Sequence, residues 1–303
     1  MTTTAEKIWT VRKNPFDPNP ELRIWMDGVL VPANEAKISV FDHGLLYGDG
    51  IFEGIRVYGG RIWKEAEHIQ RFFESAKAVR LDVPMTPEGV SQAMNEALEA
   101  NGVIDGYIRL LCTRGVGLLG ISVTKAACPS VIVIADSISL YPQERYETGL
   151  RCITSSYVRN HPNSLSPRIK SLNYLNNVMA KLEAYDAGAD EAIMLNYEGR
   201  VAEATGDNVF IVRNGQLCTP PTSEGILDGI TRGVVMELAG QRGYIVEEKQ
   251  LLRHDIYTAD ECFLSGTAAE IIAVVMLDKR PIGDGQPGKI TRQLQQDFSE
   301  ARS

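Results

Sequence analysis

What the chain lacks excludes several common chemistries. Its five cysteines, Cys112, Cys128, Cys152, Cys218 and Cys262, are odd in number, scattered, and never form a C-x-x-C pair. That pattern fits reduced thiols better than a disulfide frame or a zinc site. The four histidines, His43, His68, His161 and His254, fall at no ligand spacing, so no structural or catalytic metal is expected. No run approaches the ~18 apolar residues that span a bilayer. Met1 to Pro20 is polar, ends in Asn14-Pro15-Phe16-Asp17-Pro18-Asn19-Pro20 and has no apolar signal core, which makes a cytoplasmic location the expectation. Basic charge is not in excess either: the formal charge of −8 argues against a nucleic-acid or anionic-membrane partner. There is no internal repeat and no low-complexity segment.

What is present reads as a soluble globular chain. At 303 residues, 44% hydrophobic and 23% charged, it is long enough for two domains. Arg23–Pro32 reads as two short strands joined at Asp27-Gly28, a tight hairpin signal. Ile38–Val40 starts a further extended run, leading into Phe41-Asp42-His43-Gly44-Leu45-Leu46-Tyr47-Gly48-Asp49-Gly50-Ile51-Phe52-Glu53-Gly54-Ile55-Arg56. Its glycines miss the dinucleotide spacing G-x-G-x-x-G by one residue, so nicotinamide binding is rejected. Ile69, Phe72, Phe73, Ala76 and Val79 recur at helical spacing over Glu65–Val79, and a second helix follows over Pro87–Asn101. Arg71 lies off the first helix's apolar stripe, where a solvated arginine is the plain expectation. Gly106–Arg114 alternates as a strand that puts Tyr107 and Arg109 on one face, either as a carboxylate site or simply as the wet side. Arg114–Gly120 reads as a flexible loop and Ser130–Ala135 as a buried strand.

The apolar pattern lapses near residues 136–147. This places a smaller N-terminal α/β domain at 1–138, a linker at 139–147 and a larger C-terminal α/β domain at 148–303. The second half opens with a strand over Leu150–Ser155 and a loop over Asn160–Pro167. An apolar-periodic helix then runs from about Leu172 to Tyr185 and ends at Gly188. Two hairpins follow, around Asn196–Gly199 and Asn214-Gly215, then a helix over Thr231–Arg242 and strands over Gly243–Glu247 and Glu261–Ser265. Gly283-Asp284-Gly285-Gln286-Pro287-Gly288-Lys289 mimics a phosphate-binding loop, but Ile290 stands where a Ser or Thr is needed. It reads instead as a loop capping the last helix.

Four features converge on one chemistry. Lys170 follows a strand-like approach at a helix opening. A lysine there usually points to water, but a buried or cation-flanked lysine has its pKa lowered and attacks carbonyls. Arg168 and the neighbouring apolar residues are suitable surroundings. If the helix begins at Lys170, Tyr174 lies one turn on, on the same face. Glu203 is either a strand-end surface glutamate or the carboxylate that keeps a pyridine nitrogen protonated. Gly229-Ile230-Thr231 and Ser265-Gly266-Thr267-Ala268-Ala269 each offer backbone N–H groups and a hydroxyl to an anion, although either alone reads as an ordinary cap. Together they supply the parts that hold a phosphorylated aldehyde such as pyridoxal phosphate.

At these residues the chain resembles the fold-type IV pyridoxal-phosphate enzymes, most closely the branched-chain amino acid aminotransferases, over Ile24–Phe298. The matching stretches are Phe41–Arg56, Glu67–Arg71, Tyr107–Arg109, Lys170–Leu175, Glu203–Asn208, Gly229–Arg232 and Ser265–Glu270. The resemblance implies an α/β (α+β) fold of two domains with the cofactor site between them. It implies that Lys170 forms the Schiff base with pyridoxal 5'-phosphate and carries the proton, that Glu203 meets the ring nitrogen, and that Tyr174 meets the ring hydroxyl. Arg71 would join Ile230, Thr231 and Thr267 at the phosphate, reversing the solvated reading. Leu227 would pack on the ring, and Gly206, Asp207, Asn208 and Gly229 would complete the cofactor site. Substrate carboxylates would meet Tyr107, Arg109 and Thr267-Ala268. Tyr47, Phe52, Tyr141 and the Leu118–Ile121 loop would wall an apolar pocket, and Arg56 belongs to the same substrate-binding set. In the family Tyr47 and that loop come from the partner subunit, which implies a homodimer or larger homo-oligomer. The implied reaction is ping-pong transfer of the amino group of leucine, isoleucine or valine to 2-oxoglutarate. D-amino acid aminotransferases and aminodeoxychorismate lyases share the fold, and Tyr107-Ile108-Arg109 is what favours the branched-chain group.

Overall fold

The computed structural model describes Asn19 and residues 21–302. Apart from Asn19, the stretch Met1–Pro20 read for a missing signal core lies outside the described residues. The first half builds one antiparallel sheet from β1 (Arg23–Met26), β2 (Val29–Pro32), β3 (Gly50–Tyr58), β4 (Arg61–Ile62), β5 (Gly106–Gly117) and β6 (Ala126–Asp136), in the order β2-β1-β6-β5-β3-β4. The short helix α1 (His43–Tyr47) precedes β3, and α2 (Glu65–Ala78) and α3 (Pro87–Asn101) pack on one face. Period-two alternation divides the sheet's labour. Ile51, Ile55, Ile108 and Leu110 meet Phe72 and Met94 of the helices in a dry core. Phe52, Tyr107, Arg109 and Leu111 alternate with them and face the other way, into a cavity.

The second half forms a nine-stranded mixed sheet, with α4 (Gln143–Thr148), α5 (Pro162–Leu165), α6 (Leu175–Asp186), α7 (Ile230–Gln241), α8 (Arg253–Tyr257) and α9 (Lys289–Ala301) around it. Its strands are β7 (Leu150–Thr154), β8 (Glu191–Leu195), β9 (Val201–Ala204), β10 (Asn208–Arg213), β11 (Gln216–Thr219), β12 (Val246–Glu248), β13 (Glu261–Gly266), β14 (Glu270–Leu277) and β15 (Arg280–Pro281). They run β12-β11-β10-β13-β14-β7-β8-β9, with β15 beside β14. Phe210, Phe263 and Ile271 pack under Val235, Leu238, Leu294 and Phe298 of α7 and α9. Val209, Ile211, Leu264 and Ile272 point to the opposite face. β9 and β10 stand far apart in the strand order, yet only residues 205–207 join them. The sheet therefore curls back at that turn, and the turn becomes a floor of the site.

Several local expectations need correction. Ile38–Val40 is not extended strand but an irregular, exposed segment. β5 continues through Arg114 to Gly117, because Val116 still pairs with Cys128, so the expected loop is shorter. The helix after Lys170 begins only at Leu175. Its apolar stripe, Leu175, Val178, Leu182 and Tyr185, is exposed, while Ala180 and Ala184 pack inward. The second-half strand expected from Gly243 starts at Val246, and the Asn160–Pro167 loop holds a helical turn, α5. The loop before α9 does cap it: Gly288 is the N-cap, and the Glu261 carboxylate accepts from the N–H groups of Ile290 and Thr291 at 2.9 and 2.8 Å.

Candidate active site

Lys170 stands on an extended segment laid against the start of β3. Phe52 N–H donates to the Lys170 carbonyl at 2.9 Å, Leu172 N–H donates to Gly50 O at 2.9 Å, and Ser171 bridges Ile51. Backbone pairing, not a helix, therefore aims the side chain. Its Nζ lies 3.3 Å from the Tyr174 hydroxyl and 4.7 Å from the Phe52 ring centroid. Tyr174 is the N-cap residue of α6 rather than a residue one helical turn on. Arg168 is exposed and lines a separate cleft beside α2, so it is not the neighbouring cation expected for Lys170.

The lysine reaches into a cavity of about 550 Å³ lined by Phe52, Tyr107, Arg109, Leu111, Leu172 and Val178, among others. The Arg109 guanidinium stacks 4.5 Å over Phe52 and 5.6 Å over Tyr107. Gly54 is needed here, because a Cβ on it would sit 1.8 Å from the Tyr107 hydroxyl. Beneath the cavity is a narrower crevice of about 80 Å³, reached by Lys170, Arg71, Glu203, Asn208, Leu227, Gly229, Ile230, Thr231, Thr267 and Ala268.

Glu203 is mid-strand in β9 and buried, not a surface strand end. Its Oε1 accepts from Arg159 Nε at 2.7 Å, and its Oε2 accepts from Leu227 N–H at 3.0 Å and Asn208 Nδ2 at 3.1 Å. Burial pushes its carboxyl up, while the Arg159 charge and the Leu227 N–H pull it back. Arg159 escaped sequence reading because it lies in a loop with no periodicity. Only the fold brings it to Glu203 and to Asn177 Oδ1, 3.1 Å away.

Arg71 is buried. Its Nε and Nη2 grip the Glu53 carboxylate at 2.8 Å each, and its Nη1 donates to Asp228 O at 2.9 Å. His68 Nδ1 adds a third donor to Glu53 at 2.8 Å. These three donors hold the Glu53 carboxyl down at about 2 against the cost of its complete burial. Burial lowers the His68 pKa, favouring a neutral ring whose Nδ1–H donates a hydrogen bond to the Glu53 carboxylate. The buried Nε2, which has no partner, is then the bare nitrogen.

The crevice floor suits a compact anion. α7 opens at Ile230 with no side-chain cap on Gly229, so its first N–H groups are left for a ligand. Thr231 and the Thr267–Ala269 turn flank them, and the buried Ser265 hydroxyl lines the same crevice with no hydrogen-bond partner. An orphaned buried hydroxyl is costly unless something fills its place, so the donor set fits a phosphate group.

Three candidates lie outside the cavity. Tyr47 is on α1, half exposed, and its hydroxyl accepts from Gly120 N–H at 2.8 Å. Arg56 donates to Glu270 Oε1 at 3.0 Å and lines an adjoining cavity of about 450 Å³. Tyr141 borders that second cavity and donates to Glu191 Oε2 at 2.8 Å. Gly206 and Asp207 sit on the turn between β9 and β10 and line both the Lys170 cavity and the crevice. Among the described residues there is no cluster of three or more metal-ligating side chains, and no helix is long and apolar enough to cross a membrane.

The sequence and the fold that carry this site are shared with known proteins. The amino-transferase class IV family matches residues 50–277. The chain is 48% identical over 282 residues to a putative branched-chain-amino-acid aminotransferase of Methanocaldococcus jannaschii, covering 93% of this chain and 97% of that one. It is 37% identical to the branched-chain-amino-acid aminotransferase of Pseudomonas aeruginosa, over 91% of each. The solved branched-chain aminotransferase of Thermoproteus uzoniensis with norvaline superposes with a TM-score of 0.87 at 39% identity, covering 92% of this chain and 94% of that one. The branched-chain amino acid aminotransferase of Thermobaculum terrenum, solved in its PLP-form, superposes with a TM-score of 0.83 at 33% identity over 94% and 95%. The chain belongs to the class IV aminotransferases, with the fold-type IV architecture. Within that family it falls among the branched-chain-amino-acid aminotransferases.

Proposed function

We propose that the protein transfers the amino group of L-leucine, L-isoleucine and L-valine to 2-oxoglutarate with pyridoxal 5'-phosphate as cofactor. The observation that carries this reading is the placing of Lys170 Nζ in an apolar cavity above Glu203, with the N-terminus of α7 in the same crevice. When bound, the cofactor supplies an aldehyde and a protonated ring that withdraws electrons from the substrate α-carbon. The chain's own residues do the rest. Lys170 moves the proton at that carbon. Glu203, held by Arg159, keeps a proton at the ring nitrogen, and Tyr174 donates to the ring hydroxyl. Arg71, Thr231, Thr267 and the Ile230 N–H bind the phosphate. Tyr107, Arg109 and the Thr267-Ala268 turn hold carboxylate, and Phe52, Leu111, Leu172 and Val178 exclude water from an aliphatic side chain.

The reading includes a homodimer. Tyr47 and the Leu118–Ile121 loop lie away from their own cavity, hydrogen-bonded to each other, and they expose Leu45, Leu118, Leu119 and Ile121. A second copy would bury that surface and receive Tyr47 at its own site. We place the domain boundary at 139–147 and the protein in the cytoplasm.

The test is the visible absorbance of the purified, cofactor-loaded protein. L-Leucine should bleach the band and 2-oxoglutarate restore it, while Lys170→Ala should lose both the band and turnover. Bleaching by D-alanine alone would transfer the assignment to a D-specific aminotransferase, and a wild type that forms no band would end the reading of Lys170.

A further inference from the structure

The Thr267–Ala269 turn closes at a residue where glycine would be the easier choice. β13 and β14 pair Gly266 with Glu270 and leave three residues between them. Glu270 sits in the left-handed region with φ of 60°, which glycine enters freely and a side chain only with strain. Such strain persists where surrounding contacts hold it. Here they converge on one atom. Glu270 Oε1 accepts from Arg56 Nη2 at 3.0 Å and from the Tyr58 hydroxyl at 2.6 Å, and Arg302 Nη1 lies 3.3 Å away. Arg56 Nε also donates to the Tyr58 oxygen at 3.3 Å, and the Arg302 guanidinium stacks 4.5 Å over the Tyr58 ring. The Arg56 and Glu270 side chains are only 19% and 18% exposed, so this is not a loose surface pair of the kind that contributes little.

We propose that Glu270 is a positioning residue whose clamp to β3 and α9 holds the Thr267-Ala268 turn in place for the carboxylate that amino-acid and oxo-acid substrates share. This rests on the transaminase reading above. Glu270 lines neither the Lys170 cavity nor the crevice beneath it, so it acts through the turn and not on the substrate. With Arg56 and Arg302 it walls the cavity of about 450 Å³ that meets the Lys170 cavity at Leu140 and Ala268, which puts the clamp directly behind Ala268. Phe52, Gly54, Arg56 and Tyr58 alternate along one face of β3. The start of that strand aims Lys170 by pairing with its segment, and its end grips Glu270. One strand therefore sets both the lysine and the turn that receives the carboxylate. Without the clamp the turn keeps its sequence but loses its fixed place, and donors that are not held in place bind an anion less well.

The experiment combines steady-state kinetics at saturating cofactor with binding of the unreactive carboxylate 4-methylpentanoate to the cofactor-loaded enzyme. Glu270→Gly keeps the left-handed backbone and removes the clamp. Its KM for L-leucine and for 2-oxoglutarate should both rise about tenfold, 4-methylpentanoate should bind about tenfold more weakly, and kcat should fall less. Glu270→Gln, which keeps an acceptor oxygen without the charge, should lose less than Glu270→Gly. A merely structural role would reduce the amount of active enzyme, lowering kcat and leaving KM and the affinity for 4-methylpentanoate as they were. That result, or wild-type values in Glu270→Gly, overturns the proposal. If Glu270→Gly does not fold, Arg302→Met removes one arm of the clamp away from the turn and should raise both KM values about threefold. Unchanged KM values in that variant overturn the proposal equally. Failure of the transaminase reading would look different: the wild type would not turn over L-leucine at all.

Discussion

Replacing Glu53 with glutamine removes one charge from the buried group that positions Arg71. The carboxylate is fully enclosed and accepts three donors at 2.8 Å, two from Arg71 and one from His68. Its carboxyl is held at about 2 against an ordinary value of 4.5. At ~1.36 kcal/mol per pH unit that gap is worth about 3 kcal/mol. Deleting one partner of a buried ion pair costs roughly 3–5 kcal/mol by experience with such pairs, so the two routes agree. In a protein of this size such a loss should lower the melting temperature by on the order of 10 °C. The sign of the pH dependence follows from the depressed pKa. The Glu53 contribution is fully present above pH 4.5 and fades as pH falls toward 2, so wild type and variant should converge over that window. Thermal melting of both proteins from pH 7 down to pH 3 is the assay. A variant that melts within a degree or two of wild type at pH 7 would refute the view that Glu53 holds Arg71 as an ion pair.

Two further outcomes follow from the site. Arg159→Met leaves Glu203 buried without its cation and should raise its carboxyl further. Since a hydrogen bond to a charged group is worth roughly 1.5–3 kcal/mol, leucine turnover should drop about 10- to 100-fold, with the loss falling on kcat more than KM. An unchanged kcat would remove Arg159 from the site. Ser265→Ala deletes a buried hydroxyl that has no partner, so the cofactor-free protein should melt no lower than wild type. If that hydroxyl meets the phosphate, cofactor affinity measured by fluorescence titration should still fall about tenfold. Equal affinity in the two proteins would show that Ser265 plays no part in binding.

Local grammar was readable wherever the code is local. Asp27-Gly28 makes its hairpin, with φ of 49° and 94°, and Thr86 caps α3 through Gly89 N–H. The alternation in β5 put Tyr107 and Arg109 on one face. What failed was non-local. The apolar periodicity over Leu172–Tyr185 marks a helix, yet Leu175, Val178, Leu182 and Tyr185 are exposed in the single chain, because periodicity reports a face without saying what covers it. Ile38–Val40 has strand-forming residues but pairs with no strand among the described residues. Lys170 reads as a helix opening because an apolar-periodic run follows it, but the helix starts only at Leu175. The pairing of its segment with β3, over a hundred residues away in sequence, is what extends it.

The sequence by itself determined the inventory: one lysine, a glutamate, two glycine-led turns, a tyrosine–arginine strand face and the ordered motifs that mark the family. Those are short-range patterns, carried by spacing and by the backbone freedom of particular residues. Only the tertiary structure decided which charges are paired and which are left free. Arg159 reaches Glu203 across 44 positions of chain, Glu53 closes on Arg71, and the carboxyl of Asp207 lines the cavity with no donor among the described residues. Burial and donor count set a carboxyl's charge, and both depend on which distant segments pack against it. No spacing rule records that.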